Sequence, residues 1–61
     1  MSLELGSVLL LRIDALAAGG DGIGRHEDVA VFVPLTAPGD LARVRVHQLR
    51  ERYARAQLLA I

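Results

Sequence analysis

Leu41-Ala42-Arg43-Val44-Arg45-Val46-His47-Gln48-Leu49 alternates apolar and polar side chains with a period of two. Successive side chains of a strand point to opposite faces. Ala42, Val44 and Val46 therefore share one face, and Arg43, Arg45 and His47 share the other. An apolar-in, charged-out strand of this kind needs a core beneath it, and the rest of the chain must supply that core as sheet.

Working outward, Pro38-Gly39-Asp40 precedes the strand as a turn, because proline presets φ and glycine tolerates positive φ. Before it, Val29 to Val33 reads as a second clear strand, closed by Pro34. Val8 to Leu16 alternates more weakly, with Leu9, Leu11, Ile13 and Ala15 on one side and Arg12 and Asp14 on the other. Tyr53 to Ile61 reads as a last strand, and Gln48 to Arg52 as a polar connection with room for one helical turn. Between Ala17 and Arg25 lie four of the six glycines. That density predicts a loop, or a loosely paired strand with a bulge, whose backbone needs positive φ and a close neighbouring strand. Short strands with turn signals between them predict an all-β chain: a small closed or partly open OB-like β-barrel.

Sixty-one residues form one domain at most, and a chain this short leaves little room for an internal active-site cavity. The absence of cysteine removes disulfides and thiolate metal sites, and fits a reducing cytoplasm. No apolar run approaches the ~20 residues of a membrane span. The final Leu58-Leu59-Ala60-Ile61 has no polar tail, which predicts that the chain is a piece, 1–61, of a larger protein.

The formal net charge is zero, yet it is unevenly spread. Met1 to Asp40 carries six acids against Arg12 and Arg25, a net −4. Leu41 to Ile61 carries Arg43, Arg45, Arg50, Arg52 and Arg55 against Glu51 alone, a net +4. A local basic patch binds nucleic acid even on a neutral chain. Arg43, Arg45 and His47 form a stripe on one strand face, read either as a solvated surface or as a track for phosphates. Of the two aromatics, Phe32 lies in so apolar a strand that core is the expected place for it. Tyr53, among arginines, is the better candidate for base stacking.

Other chemistries are poorly served. Gly19-Gly20-Asp21-Gly22-Ile23-Gly24 lacks the Gly-Lys-Ser/Thr of a phosphate loop, and Arg25 stands where a dinucleotide fingerprint would place its last glycine. His26, Glu27, Asp28 and His47 are the sole conceivable metal set, and they lack ligand spacing. Ser2, Ser7 and Thr36, the hydroxyls besides Tyr53, sit in no nucleophile elbow. No catalytic residue and no metal site is expected.

Taken together, Gly20-Asp21-Gly22-Ile23-Gly24-Arg25, Val31-Phe32-Val33-Pro34, Pro38-Gly39-Asp40, Arg43-Val44-Arg45-Val46 and Tyr53-Ala54-Arg55-Ala56-Gln57-Leu58-Leu59 resemble the TRAM domain in order and spacing. The likeness runs from about Leu5 to Ile61, with the first segment matching the family's loop after its first strand. Glu27-Asp28 stands where the family often has a glycine. The resemblance implies an OB-like barrel that binds tRNA or rRNA and delivers it to a catalytic domain. Met1 shortly before the first strand suits the N-terminal TRAM domain of RNA uracil-5-methyltransferases, whose S-adenosylmethionine pocket would lie downstream. The methylthiotransferases, which also carry the domain, are the alternative parent. The RNA-binding residues expected are Arg25, Arg43, Arg45, His47, Arg50, Arg52, Tyr53 and Arg55. The competing reading is a structural module that docks its arginine face on its own catalytic domain.

Overall fold

The computed structural model describes residues 3–61, so the Ser2 hydroxyl and the placing of Met1 lie outside the described residues. Five strands account for the fold: β1 (Val8–Leu16), β2 (Gly22–His26), β3 (Val29–Val33), β4 (Leu41–Leu49) and β5 (Tyr53–Ala60). They close into a barrel in the order β1-β2-β3-β5-β4, with β4 returning to pair with β1. All neighbours are antiparallel except β3 and β5. Closure leaves no long sheet edge to template aggregation. No described residue is helical, so the connection from Gln48 to Arg52 holds no helical turn. Gln48 and Leu49 complete β4, as the alternation from Leu41 to Leu49 predicts, and Arg50 N–H donates to Tyr53 C=O at 2.8 Å to close a tight turn.

Leu11, Ile13, Val31, Val33, Ala42, Val44, Val46, Ala54 and Ala56 fill the barrel. The two-residue alternation of β4 appears as expected, with Ala42, Val44 and Val46 inward and Arg43, Arg45 and His47 outward. The weaker alternation of β1 holds through Ile13 and then breaks. A register shift between Ile13 and Ala15 against β2 turns Ala15 to solvent. This is the action of a bulge, which bends a strand to help close a small barrel.

The glycine-rich stretch divides: Ala17 to Asp21 is a turn, and Gly22 to His26 is a strand that pairs with β1 across a bulge. The positive φ expected of the stretch falls at Gly20, with φ +98, and not at Gly22 or Gly24. What they require is space, because both face inward and are buried. A methyl group added at Gly22 would land on the Thr36 hydroxyl and lie 2.9 Å from Ile13 Cγ2. One added at Gly24 would lie 2.5 Å from the Arg12 carbonyl oxygen and 2.6 Å from Leu11 Cγ. These two positions let β2 sit close against β1, and the close approach forecast for the segment is real.

The turns follow from their residues. Ala37-Pro38-Gly39-Asp40 places Gly39 at φ +97 after proline, as a type II turn requires, and Asp40 N–H donates to Ala37 C=O at 3.0 Å. The Asp40 carboxylate in turn accepts from Ala37 N–H at 2.9 Å. Glu27 and Asp28 join β2 to β3 with φ of 51° and 70°, the paired positive values of a type I′ hairpin. The glycine-free turn thus keeps the tight hairpin and bears the strain in its backbone.

Candidate nucleic-acid interface

The inward set on β3 is Val31 and Val33, both fully buried, so Phe32 must point outward. This overturns the expectation that Phe32 belongs to the core. The β2–β3 register sets Ile23 beside Phe32, and Arg25 beside Ala30. The parallel β3–β5 register then sets Phe32 beside Arg55, and Ala30 beside Tyr53. Two rows result, Ile23–Phe32–Arg55 and Arg25–Ala30–Tyr53, on one outer face.

Within that face the two aromatic rings meet edge to face, 5.8 Å between centres and at 84°. The Arg55 guanidinium carbon lies 5.6 Å from the Phe32 ring centre and 6.0 Å from that of Tyr53. Such distances fall in the range of cation–π attraction. Arg55 Nη1 is also 3.5 Å from Asp21 Oδ2, a long contact between half-exposed groups. The carboxylate comes from the β1–β2 turn, so this turn fixes where Arg55 rests.

Arg43 and Arg45 occupy a different part of the surface. Arg45 pairs with Val8 of β1 on one side and Gln57 of β5 on the other, and Arg43 pairs with Leu10 and Ala60. Val8 and Leu10 are 51% and 60% exposed, so this arginine stripe is framed by aliphatic side chains rather than aromatic ones. His47 sits at the slip between Val46 and Gln48 in the β4–β5 register, and lines a cleft with Pro34, Leu35, Gln57 and Leu58. Arg50 and Arg52 project from the β4–β5 turn, with Arg50 Nη1 donating to Leu49 C=O at 3.2 Å.

Among the described residues, Arg25, Arg43, Arg45, Arg50 and Arg52 form no ion pair, while Arg55 has Asp21. Unpaired guanidiniums on a closed sheet are available to phosphate groups. No three His, Asp or Glu side chains among the described residues come together to hold a metal ion. Among the described residues, no helix is long and apolar enough to cross a membrane.

The fold gathers Arg25, Tyr53 and Arg55 from the expected residues onto one face, and adds Ile23 and Phe32, which sequence reasoning left out. It separates Arg43 and Arg45 from them around the barrel, with Gln57 of β5 between. Parity sets Phe32 on the face opposite Val31 and Val33, and the pairing of Val31 with Ala54 decides which of the two faces lies inward.

The TRAM domain family matches residues 2–59 of this chain. The chain belongs to the TRAM domain family. A conserved protein of Methanococcus maripaludis, solved in solution, superimposes on this TRAM domain with a TM-score of 0.87 at 33% identity, covering 93% of this chain and 81% of that one. A Synechocystis protein named as an uncharacterized RNA methyltransferase is 52% identical over 58 residues, which are 95% of this chain and 12% of that protein. The tRNA (uracil(54)-C(5))-methyltransferase of Schizosaccharomyces pombe is 40% identical over 53 residues, 84% of this chain and 10% of that protein. The TRAM domain described here thus spans about a tenth of the length of these methyltransferases. In OB-type barrels generally, the face of strands 2 and 3 with its flanking loops holds oligonucleotides. Here that face carries Ile23, Arg25 and Phe32.

Proposed function

We propose that this TRAM domain is the RNA-binding module, at or near the N-terminus, of a longer cytoplasmic RNA-methylating enzyme, and that it delivers tRNA or rRNA to the catalytic domain. The observation that carries this reading is the set of unpaired, outward arginines on a barrel whose relatives are RNA methyltransferases. Arg25, Arg50, Arg52 and Arg55, and on the outer face of β4 Arg43 and Arg45 with His47, neutralise phosphates and release counterions. Tyr53 supplies a ring beside them. The methyltransferase relatives favour that branch over the methylthiotransferases.

Among the described residues, the barrel interior is filled by packed side chains. Nine apolar side chains occupy the barrel, and Thr36, the one buried polar residue among those described, donates its hydroxyl to Val33 C=O at 2.8 Å. S-adenosylmethionine therefore belongs, in this reading, to the catalytic part of the parent enzyme.

The test is a titration of the chain into a labelled RNA stem-loop at several salt concentrations. Binding that weakens linearly in log salt supports the reading, and no binding at low salt contradicts it. A second reading applies to Arg43 and Arg45 alone. Exposed Val8, Leu10, Leu41 and Leu59 lie on the strands around them, and an apolar surface with charges set into it suits docking on another protein domain.

A further inference from the structure

Phosphate neutralisation explains the arginines but not the aromatics. The chain has one phenylalanine and one tyrosine, and the fold places both on the outer face of β3 and β5. Aliphatic side chains fill the core instead, and Phe32 is left half-buried on the outer face. The rings meet edge to face, which leaves ring surface open to a third planar group.

What could stack there is limited by geometry. In a double helix the base faces are covered by their neighbours, and a side chain on a convex barrel cannot reach them. Unpaired bases, in loops, bulges or single strands, present free faces to aromatic side chains and to guanidinium planes. Resting on the RNA-binding reading above, we propose that Phe32, Tyr53 and Arg55 form a stacking site for one or two unpaired nucleobases, with the nucleotide's phosphate replacing Asp21 as the partner of Arg55.

The exchange at Arg55 follows from its surroundings. In the free chain its guanidinium is near both rings and 3.5 Å from the Asp21 carboxylate. An arriving phosphodiester offers the same kind of oxygens with the same single charge, and the stacking of its base on the ring favours the exchange. Ile23, beside Phe32 in register, extends the apolar floor of the site. Asp21 thus holds Arg55 in position before binding and competes with the RNA for it. The exchange moves no covalent bond.

The test compares a short labelled oligouridylate with a blunt RNA duplex of equal charge at one low salt concentration. The unaltered chain binds the oligouridylate more tightly than the duplex. Its single tyrosine, in a chain without tryptophan, loses fluorescence on binding the oligouridylate and keeps it on binding the duplex. Phe32→Leu and Tyr53→Leu each weaken oligouridylate binding by about five- to hundredfold, the range for loss of one stacked base, and weaken duplex binding by less. Asp21→Asn strengthens oligouridylate binding more than Asp14→Asn, which removes the same charge from exposed β1. Equal binding of the two RNAs with unchanged tyrosine fluorescence overturns the stacking site while leaving the RNA-binding reading intact. Equal effects of Asp21→Asn and Asp14→Asn overturn the exchange at Arg55. Binding of neither RNA overturns the RNA-binding reading and this inference with it. The tyrosine signal comes from the unaltered chain, so it decides the matter even where a leucine variant fails to fold.

Discussion

Phe32 and Arg55 lie side by side across the parallel pairing of β3 and β5, with the guanidinium carbon 5.6 Å from the phenyl ring centre. These residues are far apart in sequence, and no local pattern relates them. Their meeting turns two separate features, a hydrophobic strand and a basic one, into a single surface with a charge set among rings.

Replacing Arg43 and Arg45 together by alanine separates the two readings of the β4 stripe. Each phosphate neutralised contributes about −0.7 to −0.9 to the slope of log affinity against log salt. If both arginines meet phosphates, the double variant binds a stem-loop more weakly, with a slope shallower by roughly one to two units. Stability should change by about 0.5 kcal/mol or less for each exposed change, and a melt checks the cost of lower strand propensity. An unchanged affinity and slope would remove this stripe from the RNA surface and leave it to protein docking.

Gly24→Ala should destabilise the barrel by about 1–3 kcal/mol, the usual range for overpacking. The added methyl group meets the Arg12 carbonyl oxygen and Leu11 Cγ, and a backbone atom yields less readily than a side-chain tip. In a domain of this size about 1 kcal/mol lowers the melting temperature by roughly 4–8 °C. A melting temperature equal to that of the parent chain would show that β1 and β2 have room to separate.

The sequence was legible where one strand face is apolar and the other charged. β4 is the plainest case, because Val44 and Val46 alternate with Arg43 and Arg45, and its bounds appear in the fold as read. β3 was legible as a strand but not in its facing, since Ala30 and Phe32 are as apolar as Val31 and Val33. Parity alone cannot say which set lies inward; the pairing of Val31 with Ala54 decides it, and that contact is long-range. β2 was left between loop and strand because glycine carries no side-chain pattern. Its reason for being glycine lies in Leu11, Ile13 and Thr36, which are visible only once the barrel closes. The candidate site was half legible for the same reason: Arg25 and Arg55 stood out by charge and Tyr53 by its arginine neighbours, whereas Phe32 and Ile23 depended on register.

Leu35→Asn should stabilise the chain. Leu35 holds φ +69 and is 87% exposed, so it bears left-handed strain with little burial to offset it. That conformation costs a non-glycine residue about 1–2 kcal/mol, and asparagine tolerates it better than leucine. A gain of about 0.5–1 kcal/mol corresponds to a rise of a few degrees in the melting temperature, read by circular dichroism. A fall would mean that the contacts of Leu35 along the cleft with His47 and Leu58 outweigh the strain.

The central claim is that the outer face of β2, β3 and β5 is where RNA binds. The most direct measurement is an amide NMR titration of the isotopically labelled chain with a stem-loop RNA bearing an unpaired loop. The largest shifts should fall on Ile23, Arg25, Ala30, Phe32, Tyr53 and Arg55, with smaller ones at Asp21 and the Arg50–Arg52 turn. Shifts confined to Val8–Arg12 and Arg43–Arg45, or none at saturating RNA, would contradict it.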